Sequence, residues 1–395
     1  MRILLLTPRL PWPPIDGGRI AMARLAEGLA HAGAEVEILS LNPRKHRAAV
    51  NEAPVPLPVS VGAIDIDTSR LIVPMFRALS GDIPFIVGRF VSRTFRDALR
   101  AMLQRFRPDI VQIESPFLLP YVETVRWESD ARVVLRSLNV EFRIWEGLAR
   151  NERNPLRRLA LGRVASSLRK YEVRHLNTPD AIVPISTADA EDFRRLGCTR
   201  PIHVVPCGIT LTELSDYAPE TNRVGFIGML DFRPNQDAVE WIVDELWPRV
   251  TEQVPEAQLS IAGSGAPRWL RRRAQTQNVE FLGDVDDAQA FLRRMSIVIA
   301  PLFAGGGMRI KVLEAMALAR PVVATTLGAG GIDFEHGRDI VIADDVTAFA
   351  DAVVRLLREP DTAARISLAA RATVAAKYDN DTLARGLVRF YESLV

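Results

Sequence analysis

Short unbroken apolar runs of about five residues alternate along this chain with longer stretches whose apolar positions recur every three or four residues. The runs are too short for helices and are bounded by Gly, Pro, Asp and Asn, so they read as strands buried on both faces. In the first half the expected strands lie at 3–7, 36–40, 64–67, 110–114, 133–136 and 181–184. The second half restarts the alternation at 223–227, 258–262, 279–282, 297–300, 322–324 and 339–342. Between the runs, patterns such as Ile20, Leu25 and Leu29 with polar residues between them predict amphipathic helices. Strand–helix alternation of this kind means an α/β fold with parallel sheets covered on both faces. An irregular polar stretch at 206–222, with a Cys207-Gly208 turn, divides the chain. The expected domains are therefore 1–205 and 223–378, with 206–222 as linker and a terminal helix in 379–395.

One strand–loop–helix–strand unit, residues 296–325, carries most of the chemistry. Gly305, Gly306 and Gly307 let backbone N–H groups approach a ligand, and the following helix aims its positive end at the same place. Arg309 and Lys311 add two cations in the first turn, and Glu314 follows about one turn later. Such a loop suits a diphosphate with a polyhydroxylated group beside it, as in a nucleotide sugar. The plainer alternative is a tight strand-to-helix turn, with Lys311 and Glu314 paired at i,i+3 on the helix surface.

The segment resembles the donor-binding signature of family-four glycosyltransferases, retaining enzymes of GT-B architecture: two tandem Rossmann-like doubly wound domains facing a cleft. Glu314-Ala315-Met316-Ala317 and Pro321-Val322-Val323 match the second half of that signature. The family's first glutamate falls on Gly306, and the chain is similar to a branch with the form G-G-G-x-R-x-K-x-L-E-A-M-A. The resemblance implies that Glu314 hydrogen-bonds the donor ribose while Gly305, Gly306, Gly307 and Met308 cradle its diphosphate. Arg309 and Lys311 would stabilise the leaving diphosphate. The family usually places two cations after the strand at 223–227; here Met229 and Pro234 stand there, so Arg309 and Lys311 are expected to take over that charge. Gly228 and Asp231 are further donor-side candidates at this strand end, and Pro234, Asn235 and Asp237 repeat a P-N-x-D form of the same branch. Gly283 and Val285 fall in a loop that lies by the nucleotide base in the family. In the first domain, Gly17 and Gly18 match the family's glycine loop, with Asp16 as helix cap. Asn139 and Glu141 are cleft candidates on the acceptor side, Leu138 standing where the family often has histidine. In this fold the terminal helix crosses back onto the first domain.

Composition narrows the class without changing it. A chain of 395 residues is too long for one ordinary core, and 48% hydrophobic with 25% charged residues is usual for a soluble protein. A net charge of +2 makes no case for nucleic acid. Cys198 and Cys207 are too few for a disulfide framework, which suits a reducing cytoplasm. The opening MRILLLTPRLPWPP is broken too early by proline for a signal peptide, and no stretch approaches the roughly 20 apolar residues of a membrane span. The five histidines show no metal-ligand spacing, Asp65-Ile66-Asp67 is half of an alternating strand, and no metal or other cofactor is expected. Gly263-Ser264-Gly265 lacks the third glycine and the acidic ribose partner of a dinucleotide fingerprint. Basic stretches with interleaved apolar residues lie at 70–107 and 153–174, and either is a candidate for peripheral contact with the cytoplasmic membrane face.

The expected function is retaining transfer of a sugar from a nucleotide-sugar donor to a hydroxyl of a glycan or lipid-linked acceptor, in surface polysaccharide or glycolipid assembly. Two alternatives stay open at this stage: a non-catalytic sugar-nucleotide-binding subunit, and a nucleotide-sugar epimerase of the same fold.

Overall fold

The computed structural model describes residues 1–44, 47–48, 59–68, 83–152, 154–214 and 219–395. The chain forms two compact units: Met1–Gly208 with Asn380–Val395, and Ile209–Asp379. Each is built on a six-stranded parallel sheet.

In the first unit the strands are β1 (Arg2–Thr7), β2 (Glu35–Pro43), β3 (Val59–Ile66), β4 (Ile110–Ile113), β5 (Arg132–Ser137) and β6 (Ala181–Pro184). Their order is β3-β2-β1-β4-β5-β6. Ile3, Leu4, Leu5 and Leu6 of central β1 are all buried, which is why that run is unbrokenly apolar. Each such side chain contributes about 1.5–3 kcal/mol on burial. β3 starts at Val59, earlier than its apolar run announces, and pairs with β2 over eight positions. It is an edge strand, so half its residues face partly outward and need not be apolar. The terminal helix Asn380–Glu392 packs Leu387 and Tyr391 into the core of this unit, against Ile3, Leu5 and Leu29. Its first residue anchors it: Asn380 Nδ2 donates to Arg24 O at 2.8 Å.

The second unit contains β7 (Arg223–Ile227), β8 (Gln258–Ala262), β9 (Val279–Gly283), β10 (Ile297–Ala300), β11 (Val322–Ala324) and β12 (Val341–Ile342). The order is β12-β11-β10-β7-β8-β9, the same doubly wound pattern. β12 is shorter than expected. Asp339 turns inward instead of extending the strand, accepting the Glu335 N–H at 2.8 Å and the Thr373 hydroxyl at 2.7 Å. The strand order reverses between β1 and β4 in one sheet and between β7 and β10 in the other. Loops at such reversals, beyond the carboxyl ends of the strands, are where doubly wound sheets take ligands.

The two basic stretches differ. Residues 70–82 of the first lie outside the described residues, as does Arg153 at the start of the second. Further along the first, Phe95 and Phe106 are core residues of helix Arg93–Phe106, not a surface for lipid. The second forms helix Pro155–His175, whose Leu168 and Tyr171 are buried while Leu156 and Leu159 are 77% and 56% exposed. Among the described residues no helix is long and apolar enough to cross a membrane.

Candidate functional site

In the second unit Gly305–Gly307 follow β10 and lead into helix Ile310–Ala317 through Arg309 as its N-cap. Gly305 has φ of +107°, so a side chain there would strain the turn. Arg309 folds under this loop, its Nη1 donating to Gly306 O at 2.8 Å. Its Nε is buried with no hydrogen-bond partner. Lys311 reaches across to the end of β7: Nζ donates to Ile227 O at 2.9 Å and to Asn235 Oδ1 at 3.3 Å, and stands 4.4 Å from the centre of the Phe226 ring. Burial, then the nearby Arg309 charge, pull its pKa down to about 7. Glu314 lies half-buried one turn further along the helix.

The other donor-side candidates form one backbone web with these cations. Gly228 N–H donates to Ala262 O at 3.1 Å, Leu230 N–H to Ser264 O at 2.7 Å and Gly263 N–H to Gly283 O at 2.6 Å. The ends of β7, β8 and β9 are thus tied together. Gly263 is glycine because a Cβ would stand 1.7 Å from Gly228 O, which gives Gly263-Ser264-Gly265 a packing role. Asp231 packs against Gly265, Met308 packs against Gly331, and Val285 lies half-buried just beyond β9. Arg233 is turned to the surface, paired with Asp237 at 2.7 Å and over the Trp269 ring. The rim of the loops is apolar: Met229, Phe232 and Phe303 are exposed.

In the first unit Asp16 caps helix Gly17–His31 by accepting the Arg19 N–H at 3.1 Å, and it accepts Arg9 Nη2 at 2.9 Å. The Arg9 guanidinium lies on Gly18, where a Cβ would be 2.7 Å from it. After β5, Ser137 Oγ donates to Asn139 O at 2.6 Å and turns the chain into helix Glu141–Asn151. That helix lacks a local cap. Glu172, from helix Pro155–His175, accepts the N–H groups of Glu141 and Phe142 at 3.2 and 2.8 Å. Burial and the Glu172 carboxylate push Glu141 up to about 8, with Arg9 opposing. Burial pushes Glu172 itself up to about 7 against those two backbone bonds. Beneath them Arg136 Nη1 meets Glu114 at 2.9 Å, and Gln112 links Glu114 to Tyr391 of the terminal helix.

The structure therefore gathers Gly228, Asp231, Gly283 and the 305–311 loop in one unit; in the other, Arg9 lies on Gly18 and its charge is felt at Glu141. From sequence, Asn235 enters only as part of the P-N-x-D form, and Glu172 and Arg9 do not enter as site candidates. Asn235 is 76 residues from the lysine it holds, and no local spacing signals that pair. Among the described residues there is no group of three or more His, Cys, Asp or Glu side chains that could hold a metal ion.

Residues 16–208 match the model of the glycosyl transferase 4-like domain, and residues 221–359 match that of group 1 glycosyl transferases. The chain is a family-four-type glycosyltransferase. A phosphatidyl-myo-inositol mannosyltransferase of Mycobacterium leprae is 34% identical over 203 residues, 48% of this chain and 53% of that protein, so the match spans about half of the relative. An uncharacterised 44.6 kDa protein in the cps region of Klebsiella pneumoniae is 22% identical over 96% of this chain and 97% of its own. Anabaena HepE (Alr3699), solved in complex with UDP and glucose, superposes with a TM-score of 0.71 at 14% identity over 100% of both chains. That likeness is one of fold, and the glycosyltransferase has GT-B architecture.

Proposed function

We propose that this glycosyltransferase binds a nucleoside diphosphate sugar on its second unit and moves the sugar, with retention, to a hydroxyl of a glycan or lipid-linked acceptor held by the first. The observation that carries this reading is the pair of cations at the start of helix Ile310–Ala317: Arg309 with a buried, partnerless Nε, and Lys311 close behind it. Buried donors without partners are costly, and a diphosphate oxygen satisfies them. Gly305–Gly307 supply backbone N–H groups, and Glu314 accepts the ribose hydroxyls. In the reaction the bond from the anomeric carbon to the diphosphate breaks and its electron pair leaves on the diphosphate. Arg309 and Lys311 stabilise that charge. The acceptor oxygen bonds the same face of the sugar, and its proton passes to a diphosphate oxygen. No metal is needed for these steps, because the two cations neutralise the leaving group. Glycines at 305–307 with Arg309 and Lys311 favour the G-G-G-x-R-x-K branch over the form with two glutamates.

The acceptor side carries two carboxyls, Glu141 and Glu172, pushed toward their neutral forms, which suits neutral hydroxyls. Surface polysaccharide or glycolipid assembly is the favoured setting; the phosphatidyl-myo-inositol mannosyltransferase relative supports the latter. Exposed Leu156 and Leu159 alternate with exposed Arg157, Arg158 and Arg163 at the start of helix Pro155–His175. This favours peripheral contact with an anionic, cytoplasmic membrane face.

The test is a thermal-shift screen against UDP, GDP, ADP and their sugar conjugates on the wild type, Lys311→Ala and Glu314→Ala. One nucleotide series should raise the melting temperature of the wild type and neither variant. Sugar transfer to an added acceptor then separates a transferase from a binding subunit, and epimer formed without acceptor would point to the epimerase. No shift with any nucleotide at millimolar concentration would sink the donor reading. Sedimentation with phosphatidylglycerol vesicles, absent with phosphatidylcholine, checks the membrane contact.

A further inference from the structure

We infer that Asn235 is the positioning residue of the donor site: it holds the Lys311 ammonium at the end of β7 so that one of its protons faces the diphosphate. The inference rests on the reading that the second unit takes a nucleoside diphosphate sugar. An ammonium has three donors. Two are committed, to Ile227 O at 2.9 Å and to Asn235 Oδ1 at 3.3 Å, and the third is left for a ligand oxygen. Without Asn235 the flexible lysine stem would keep one polar anchor, Ile227 O.

Asn235 suits this task because its other half is fixed as well. Nδ2 donates to Met229 O at 2.8 Å, the backbone N–H donates to Phe232 O at 3.0 Å, and the amide packs on Gly228, where a Cβ would be 3.0 Å away. The residue is buried. An amide both donates to the loop carbonyl and accepts from the lysine. An alanine does neither, and an aspartate only accepts. The same amide thus sets both the shape of the 228–235 loop and the place of the cation. The groups that face Lys311 are the Phe226 ring and Ile227 O from β7, Asn235 from the following helix, and Arg309 from the glycine loop; Glu314 lies one turn along its own helix. No carboxylate of the β7 loop holds the proton in place. Burial, then the Arg309 charge, therefore leave Lys311 easily deprotonated, near pH 7. An arriving diphosphate draws the proton back, so binding above neutral pH takes up a proton and weakens as pH rises.

The experiment is titration calorimetry of UDP and GDP into wild type, Asn235→Ala, Asn235→Asp and Lys311→Ala, at about pH 6 and about pH 8, in buffers of different ionisation enthalpy. Wild type should bind one nucleotide more tightly at the lower pH, with proton uptake at the higher. Asn235→Ala should lose roughly 10-fold in affinity, the scale of one hydrogen bond to a charged group, and show a steeper pH dependence. Asn235→Asp is isosteric and carries the test if the alanine variant unfolds. Its carboxylate keeps Lys311 charged, so the pH dependence and the proton uptake should both vanish, a change that a purely structural role would not produce. If Lys311→Ala loses binding while both Asn235 variants keep wild-type affinity and pH profile, the positioning role is overturned and the donor reading stands. If wild type binds neither of these nucleotides nor ADP, or Lys311→Ala binds like wild type, the donor reading fails and the inference falls with it.

Discussion

The two glycine loops, Gly17–Gly18 and Gly305–Gly307, each follow a strand at the order reversal of a doubly wound sheet, β1 in one and β10 in the other, yet different titratable groups surround them. Around the first are carboxyls, Glu141 and Glu172, both pushed toward their neutral forms. Around the second are cations, Arg309 and Lys311, both pulled down by burial. The shared fold supplies the turn, the helix end and the exposed strand termini. The side chains decide what is welcome there. On the proposed reading, a neutral, polyhydroxylated acceptor suits the first loop and a diphosphate the second.

The largest expected effect lies beneath the first loop. Glu114→Ala leaves Arg136 buried without its partner, and urea denaturation should show a loss of about 3–5 kcal/mol in the first unit. The nucleotide affinity of the second unit should be unchanged, and a loss of both would mean that the contrast is not confined to each loop. Next comes charge reversal at the second loop. Lys311→Glu should reduce nucleotide affinity by about 100-fold, the cost of a charged hydrogen bond replaced by repulsion, with little effect on the first unit.

The pH dependences should run in opposite directions. Glu141 and Glu172 have raised pKa values when folded, so their contribution to stability is complete below about pH 4.5 and is lost as pH rises through about 7 to 8. Lys311 has a lowered value, so its contribution is present above about pH 10.5 and is lost as pH falls through about 7. Hydrogen exchange followed by mass spectrometry resolves the units separately. Glu141→Gln with Glu172→Gln should flatten the slope in the first unit alone, and an unchanged slope would remove the carboxyl half of the contrast. The smallest effect is expected at the exposed helix start. Leu156→Ser with Leu159→Ser should move the melting free energy by no more than about 0.5 kcal/mol while abolishing vesicle sedimentation.

Legibility in the sequence followed distance along the chain. The glycine loop, its cations and the Asp16 cap are local features, set by neighbours three or four residues away, and each stood out by spacing. The central strands stood out because burial on both faces demands unbroken apolar runs. β3 and β12 were less clear, one because an edge strand is half exposed and the other because Asp339 finds partners inside instead of extending the strand. The remote pairs could not be read at all. Glu172 caps a helix that starts 31 residues earlier, and Asn235 meets a lysine from a different strand–helix unit.

The 153–174 stretch shows the same limit from another side. Its leucines recur among arginines in a way that looks uniform, yet of them Leu168 alone is fully buried, because the helix start projects beyond the packed core. By itself the sequence determined the alternation of buried strands and helices, the two-unit plan and the glycine–cation loop, since periodicity and turn chemistry are written in adjacent residues. Only the tertiary structure decided which carboxyls are buried side by side, which amide holds the buried lysine and which leucines stay bare. Those outcomes depend on desolvation and on contacts between distant segments, and both exist only once the sheets are assembled.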